Sequence, residues 1–137
     1  MVRINHKITL INARKPPNFD INEELRWIGA SLGLFNMRDK DQSCFRVFIE
    51  MIKNARSEDG ISSDELAYRL ELSRGTVVHH LNKLIQSGIV IVEKNKYHLR
   101  VDSLDALISE IEKDLERTIQ DMKEVASEVD TYLGFKK

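Results

Sequence analysis

Residues 72–90, LSRGTVVHHLNKLIQSGIV, decide how the rest of the chain is read. Ser73 is a helix-capping residue type, because its hydroxyl accepts a bond from an amide of the first turn. Gly88 is a helix-ending type, free to take the left-handed conformation that follows a last turn. Between them Val77, Leu81, Leu84 and Ile85 recur at the spacing of one helical face. The other side carries Arg74, Gly75, Thr76, Val78, His79, Asn82 and Lys83, with no acid between Ser73 and Gln86. The adjacent His79 and His80 raise the question of a metal site. Neighbours on a helix diverge by about 100°, whereas a helical metal pair needs i, i+4 spacing. No metal site is expected there, and His6 and His98 are too isolated to build one.

Working outward, "IVIVEKNKYHLRV" reads as two strands, 89–93 and 97–101, around a tight Lys94-Asn95-Lys96 turn. Upstream, Ser62 with Glu65 forms a capping box, and Leu66, Ala67 and Leu70 give a short helix an apolar face. Glu71-Leu72 then makes a turn into Ser73. Before the break at "SEDG", a helix starting at Asp39 or Asp41 runs to about Ala55. Its residues Phe45, Val47, Phe48, Ile49, Met51 and Ile52 predict burial on two sides. Cys44 lies among them as a small buried thiol. Asp20 and Glu23 open an earlier helix with Ile21, Leu25, Ile28 and Leu32 at helical spacing, Trp27 beside the stripe and Gly33 at its end. At the start, Val2, Ile4, Ile8 and Leu10 alternate with polar residues until Pro16-Pro17, which predicts a half-buried strand or, equally, a frayed tail.

The totals bound the answer. The chain has 137 residues and a net charge of −1, with 42% hydrophobic and 31% charged residues. That suits one domain with an appendage. A single cysteine excludes an intrachain disulfide and a Cys-rich zinc site, and points to a reducing, cytoplasmic compartment. The opening "MVRINHKITL" has no apolar run long enough for a signal peptide, and no stretch is long enough to span a membrane. Charge is unevenly spread. Residues 1–19 carry Arg3, Lys7, Arg14 and Lys15 and no acid; residues 60–101 hold six basic against four acidic residues; residues 102–133 hold ten acids against three bases. A phosphate-facing surface would have to avoid the acidic tail. No Gly-rich phosphate loop, nucleophile triad or paired catalytic carboxylate is present, so no catalysis and no cofactor are expected.

The order helix, helix, turn, helix, strand, turn, strand is a winged helix-turn-helix arrangement. The stretch "ISSDELAYRLELSRGTVVHHLNKLIQSGIV" resembles the archaeal and bacterial winged-helix regulators of the ArsR, MarR and TrmB type. The resemblance covers about residues 40–101, is most specific in "LSRGTVVHHLNKL" and "SGIV", and holds at superfamily level. It implies that 73–87 reads the major groove of double-stranded DNA while 93–98 clamps the backbone or minor groove, in a nucleoid-associated protein. The chemistry suits that role. Ser73 leaves first-turn amides for a phosphate. Arg74 and Asn82 can pair with purine edges and Val78 can meet a thymine methyl. Gly75 removes bulk where DNA approaches, Thr76, His79 and Lys83 add polar contacts, and Lys94 and Lys96 reach a neighbouring phosphate strand. An architectural DNA binder with weak sequence preference and a winged-helix protein-interaction module both remain open.

From Ser103 the pattern changes. Leu104, Ile108, Ile111, Leu115, Thr118, Met122, Val125, Val129 and Tyr132 are separated by four and three residues in turn, a heptad seam over roughly four heptads. Such a seam needs another helix, and the same helix of a second subunit is the simplest one. The fold expected is mainly α with a small β-hairpin wing: an N-terminal basic strand or arm (1–19), a winged helix-turn-helix (20–101) and a C-terminal dimerisation helix (102–137). Leu104, Ile108, Ile111, Leu115, Met122, Val125 and Val129 would line the homodimer interface. Any effector would have to enter that interface, and the operator would be roughly palindromic.

Overall fold

The computed structural model describes residues 6–36 and 42–136. Its elements are α1 (Ile21–Ser31), α2 (Ser43–Lys53), α3 (Ser63–Leu70), α4 (Arg74–Gln86), β1 (Val90–Glu93), β2 (Lys96–Leu99) and α5 (Leu104–Tyr132). Side-chain capping sets where α1, α3, α4 and α5 begin, whereas α2 starts after Gln42 without a side-chain cap. Asp20 accepts from the amides of Asn22 and Glu23, Ser62 from Glu65, Ser73 from Thr76 and Ser103 from Ala106. Each cap satisfies amides that have no partner within the helix. Asp39 and Asp41, expected to start α2, lie outside the described residues, as do Val2 and Ile4. Gly88, with φ of 77°, turns the chain out of α4 directly into β1.

The core gathers on α2, which packs against α1, α3, α4 and β2. Phe48, Val47 and Met51 are fully buried there with Leu34, Leu66, Val77, Leu81, Leu84 and Ile89. Two-sided burial of α2 follows from its double apolar face, since the helices it separates each need one. Cys44 is buried and its thiol donates to the Leu34 carbonyl at 3.3 Å. Phe35 meets the edge of Phe45 at 5.5 Å between ring centres, and Arg26 lies over the Phe45 face at 4.5 Å. These contacts close the end of the core nearest α1.

The hairpin is tighter than the sequence suggested. Glu93 pairs with Lys96 and Val90 with Leu99, so the turn is only Lys94 and Asn95, both at positive φ. A two-residue turn with both residues left-handed matches the right-handed twist of its strands. Lys96 therefore belongs to β2 rather than to the turn. Ile61, just ahead of α3, exchanges two backbone bonds with Tyr97 and covers the outer edge of β2. The described N-terminal residues 6–15 do not take that edge. Residues 6–15 form no strand; Lys7 donates its amide to the Gln86 carbonyl and Ile11 to that of Ser31. Trp27 donates to the Ala13 carbonyl at 3.2 Å. Residues 6–15 are thus strapped across the C-terminal ends of α4 and α1; of the described alternating residues, Ile8 packs on the core and Leu10 is exposed.

The 29 residues of α5 span about 44 Å at ~1.5 Å per residue. Its apolar face meets two different surroundings. Leu107 and Ile111 are buried in the core of the same chain, and Leu104 packs against that core. Ile111 is thus a core residue of the protomer and Leu104 is half-buried against that core, because the first turns of α5 lie on the winged body. Leu115 is half-buried at the edge. Beyond it the same face is bare, with Ile119, Met122, Val125, Val129, Tyr132 and Leu133 all exposed, and Ile108 is exposed as well.

Where α5 leaves the body, one carboxylate collects three basic side chains. Arg100 donates to both oxygens of Asp114, at 2.6 and 3.3 Å. Arg117 forms a third bond with it, and the His6 ring lies 3.6 Å away. Hydrogen bonding from Arg100 holds the Asp114 carboxyl below its ordinary range, and Asp114 in turn raises Arg100. Glu110 adds a second acid at 3.6 Å from Arg100.

Because Ile111 belongs to the protomer core, Ile111→Ala is expected to cost about 2–5 kcal/mol. Denaturant unfolding should show the same loss at every protein concentration. A loss under about 0.5 kcal/mol would remove Ile111 from the core.

Candidate nucleic-acid interface

The turn between α3 and α4 sets the presentation of α4. Glu71 takes a left-handed conformation at φ 55°, and the Leu72 amide reaches back to the Ala67 carbonyl at 3.0 Å. The chain then reverses through Ser73, whose hydroxyl accepts from the Thr76 amide at 3.1 Å and donates to the Thr76 hydroxyl at 2.8 Å. Cap and turn together fix the rotation of α4 about its own axis. Val77, Leu81 and Leu84 have no exposed surface, so that rotation is locked by packing.

The opposite face is open. Ser73, Arg74, Gly75, His79 and Asn82 are exposed, while Thr76 and Val78 are half-buried at its flanks. A Cβ added to Gly75 would meet nothing within 4 Å, so this glycine does not serve internal packing. The amides of Arg74 and Gly75 stand at the N-terminal end of α4, where helix dipole and open N–H groups favour an anion. The His79 and His80 rings pack edge to face at 5.3 Å, an arrangement unsuited to sharing one ion. Among the described residues no three His, Cys, Asp or Glu side chains come together as a metal-holding group.

Two basic residues of the expected surface are already engaged. Lys83 donates its ammonium to the Leu34 carbonyl at 2.6 Å, which draws it toward the loop after α1. Arg74 Nε lies 3.3 Å from Asp64 on α3, with both side chains mostly exposed. An exposed pair of this kind is worth about 0–1 kcal/mol and yields readily to a competing anion or base edge. At the wing, Lys94 and Lys96 are exposed, and Glu93 faces Lys96 across the strand pair.

Reading α4 alone overlooks Asp64 and Tyr68. They sit one helical turn apart on α3, and Asp64 touches Arg74, so both border the α4 surface. Tyr68 is 83% exposed, an unusual position for a large ring in a helix whose other face is core. The i, i+4 spacing of Asp64 and Tyr68, away from Leu66 and Leu70, is the signal that could have marked them.

Residues 43–93 match the family model described as a helix-turn-helix domain. No curated protein and no solved structure shows significant similarity to the chain. The matched span contains α2, α3, α4 and β1, the elements that bury one face of α4 and bare the other. With β2 completing a hairpin directly behind α4, this part of the chain is a winged helix-turn-helix domain.

Proposed function

We propose that the chain is a homodimeric, sequence-specific regulator of transcription that binds double-stranded DNA in the cytoplasm. One observation carries the reading: α4 has one face sealed in the core and an opposite, exposed face with Arg74, Gly75, His79 and Asn82 and no acid of its own. In this reading α4 enters the major groove, with Arg74 and Asn82 on base edges, Val78 beside a thymine methyl, and Ser73, Thr76 and His79 on the flanking backbone. Lys94 and Lys96 at the hairpin meet an adjacent phosphate strand. Lys83 contributes at the far end of the helix once it leaves Leu34. Tyr68 adds a phosphate contact from α3. The working division is the N-terminal strap, the winged body with the first turns of α5, and the free end of α5.

Dimerisation supplies the second reading head. The bare part of α5 presents Ile119, Met122, Val125, Val129 and Leu133 along one face, with acids on the others. In this reading a second copy covers that face, as the continuation of a stripe that elsewhere is buried. A twofold pair would place two α4 helices at major-groove segments about 34 Å apart, on a roughly palindromic site.

Selecting bound duplexes from a random pool, with oligomeric state measured in parallel, tests the whole reading. A recovered two-part motif supports it; uniform recovery with a steep salt dependence supports an architectural binder instead. On a selected site, Arg74→Ala should cost about 1–3 kcal/mol and relax one base position, whereas Lys94→Ala should weaken all duplexes alike and lower the salt slope by about 1. An equal loss on every duplex would make Arg74 a phosphate contact.

Gly75→Ala separates binding from folding. Stability should rise by up to about 1 kcal/mol, because alanine is the better helix former and the site is open. DNA affinity should fall, because the added methyl lies where the duplex approaches. Unchanged affinity would place the duplex elsewhere. Val125→Asp should leave a folded monomer in sedimentation; a dimer that survives it would remove the free end of α5 from the interface.

A further inference from the structure

We propose that Asp114, clamped by Arg100, is the positioning residue that sets the angle between the projecting part of α5 and the DNA-reading body, and so the spacing of the two half-sites. The inference rests on the dimeric reading above and concerns a residue on neither the α4 face nor the bare α5 face.

Four parts of the molecule converge on this carboxylate. Arg100 follows β2 immediately, and its amide donates to the Ile89 carbonyl at the base of β1. Its guanidinium also reaches the Gly88 carbonyl, just past the end of α4, at 3.4 Å. Asp114 brings α5 to the same guanidinium. His6 brings the N-terminal strap, its ring packed against Gly88 with its nearest atom 3.2 Å from where a Cβ there would sit, while the neighbouring Lys7 amide holds the Gln86 carbonyl. The end of α4, the hairpin base, the strap and α5 thus meet at one knot around the Arg100–Asp114 pair. The Asp114 side chain is 10% exposed and that of Arg100 is 21% exposed, so solvent screens this pair far less than a surface pair.

The position of the knot gives it leverage. Leu107 and Ile111 hold α5 to the body on its N-terminal side, and Leu115 is the last side chain of its apolar stripe with partial cover. From residue 116 to Tyr132 the helix runs about 26 Å at ~1.5 Å per residue, with almost every side chain exposed. A small tilt at the fulcrum becomes a large displacement at the far end. With two far ends joined, it becomes a change in the separation of two α4 helices. Apolar contacts at Leu107 and Ile111 resist separation but tolerate sliding and tilting. A two-pronged guanidinium–carboxylate pair is directional and does not.

The test reads geometry directly. Spin labels are placed on Tyr68→Cys in a Cys44→Ser background, and the distance between the two subunits is measured by pulsed electron resonance without DNA. The parent should give one narrow distribution. Asp114→Asn should broaden or shift it while sedimentation still reports a dimer. Arg100→Lys keeps the charge and loses the fork; it should do the same, and it carries the test if Asp114→Asn does not fold. On a selected duplex carrying both half-sites, each variant in the unlabelled chain should lose at least about tenfold in affinity and flatten the preference for half-site spacing, with binding to an unselected duplex kept within about twofold. Distributions as narrow as the parent's and at the same distance, in both variants, would overturn the proposal. A parent chain that is monomeric would overturn it together with the dimeric reading. A parent dimer that responds to the variants but selects no duplex would support the clamp and overturn only the DNA reading.

Discussion

The buried stripe of Val77, Leu81 and Leu84 is the constraint on which the rest of the structure depends. A helix with one face sealed at native packing density cannot rotate, so the residues on its other face have fixed directions. Ser73 sets the start of that helix and Gly88 its end, and the hairpin leaves from the end without slack. The position of the wing relative to α4 therefore follows from the same packing. Without the stripe, Arg74 and Asn82 would be two polar residues on a mobile segment, and no pattern of base edges could be matched by them.

A second constraint is the length of α5. Its apolar face is continuous, but the winged body is only large enough to cover the beginning. The rest is exposed, and in the dimeric reading proposed above a second copy covers it. Sequence periodicity treats the whole seam as equivalent. The core takes in Leu107 and Ile111, half-covers Leu104, and leaves Met122, Val125 and Val129 outside it. Between these regimes stands Asp114, where Arg100 from the hairpin base, Arg117 of α5 and the His6 ring of the N-terminal strap meet one carboxylate.

Charge is arranged to match. The acids of 102–133 lie on the far helix, and the α4 face carries none of its own. The chain is nearly neutral overall, yet a duplex approaching α4 would meet a locally basic surface. Asp64 is the exception. It pairs with Arg74 weakly enough to be displaced, and it limits how freely that arginine can take up a phosphate.

Local grammar was enough for the elements. Capping serines, an aspartate, positive-φ glycines and the two periodicities place the five helices and the hairpin of the described residues, because each rule acts within a few residues and needs no partner from afar. The buried face of α4 was legible for the same reason, and with it the exposed residues opposite. Contacts between distant segments were not legible. Nothing near Lys83 announces the Leu34 carbonyl, nothing near Arg74 announces Asp64, and the alternation of Ile8 and Leu10 suggested a strand where the chain instead straps two helix ends. The same holds for Ile61 on the edge of β2 and for Arg100 on Asp114. The sequence by itself determined which segments are helix or strand and which face of each is apolar, since those depend on short-range sterics and spacing. Only the tertiary structure decided which apolar face is covered by the chain's own core and which charges are spent on one another, since those depend on groups that folding alone brings within reach.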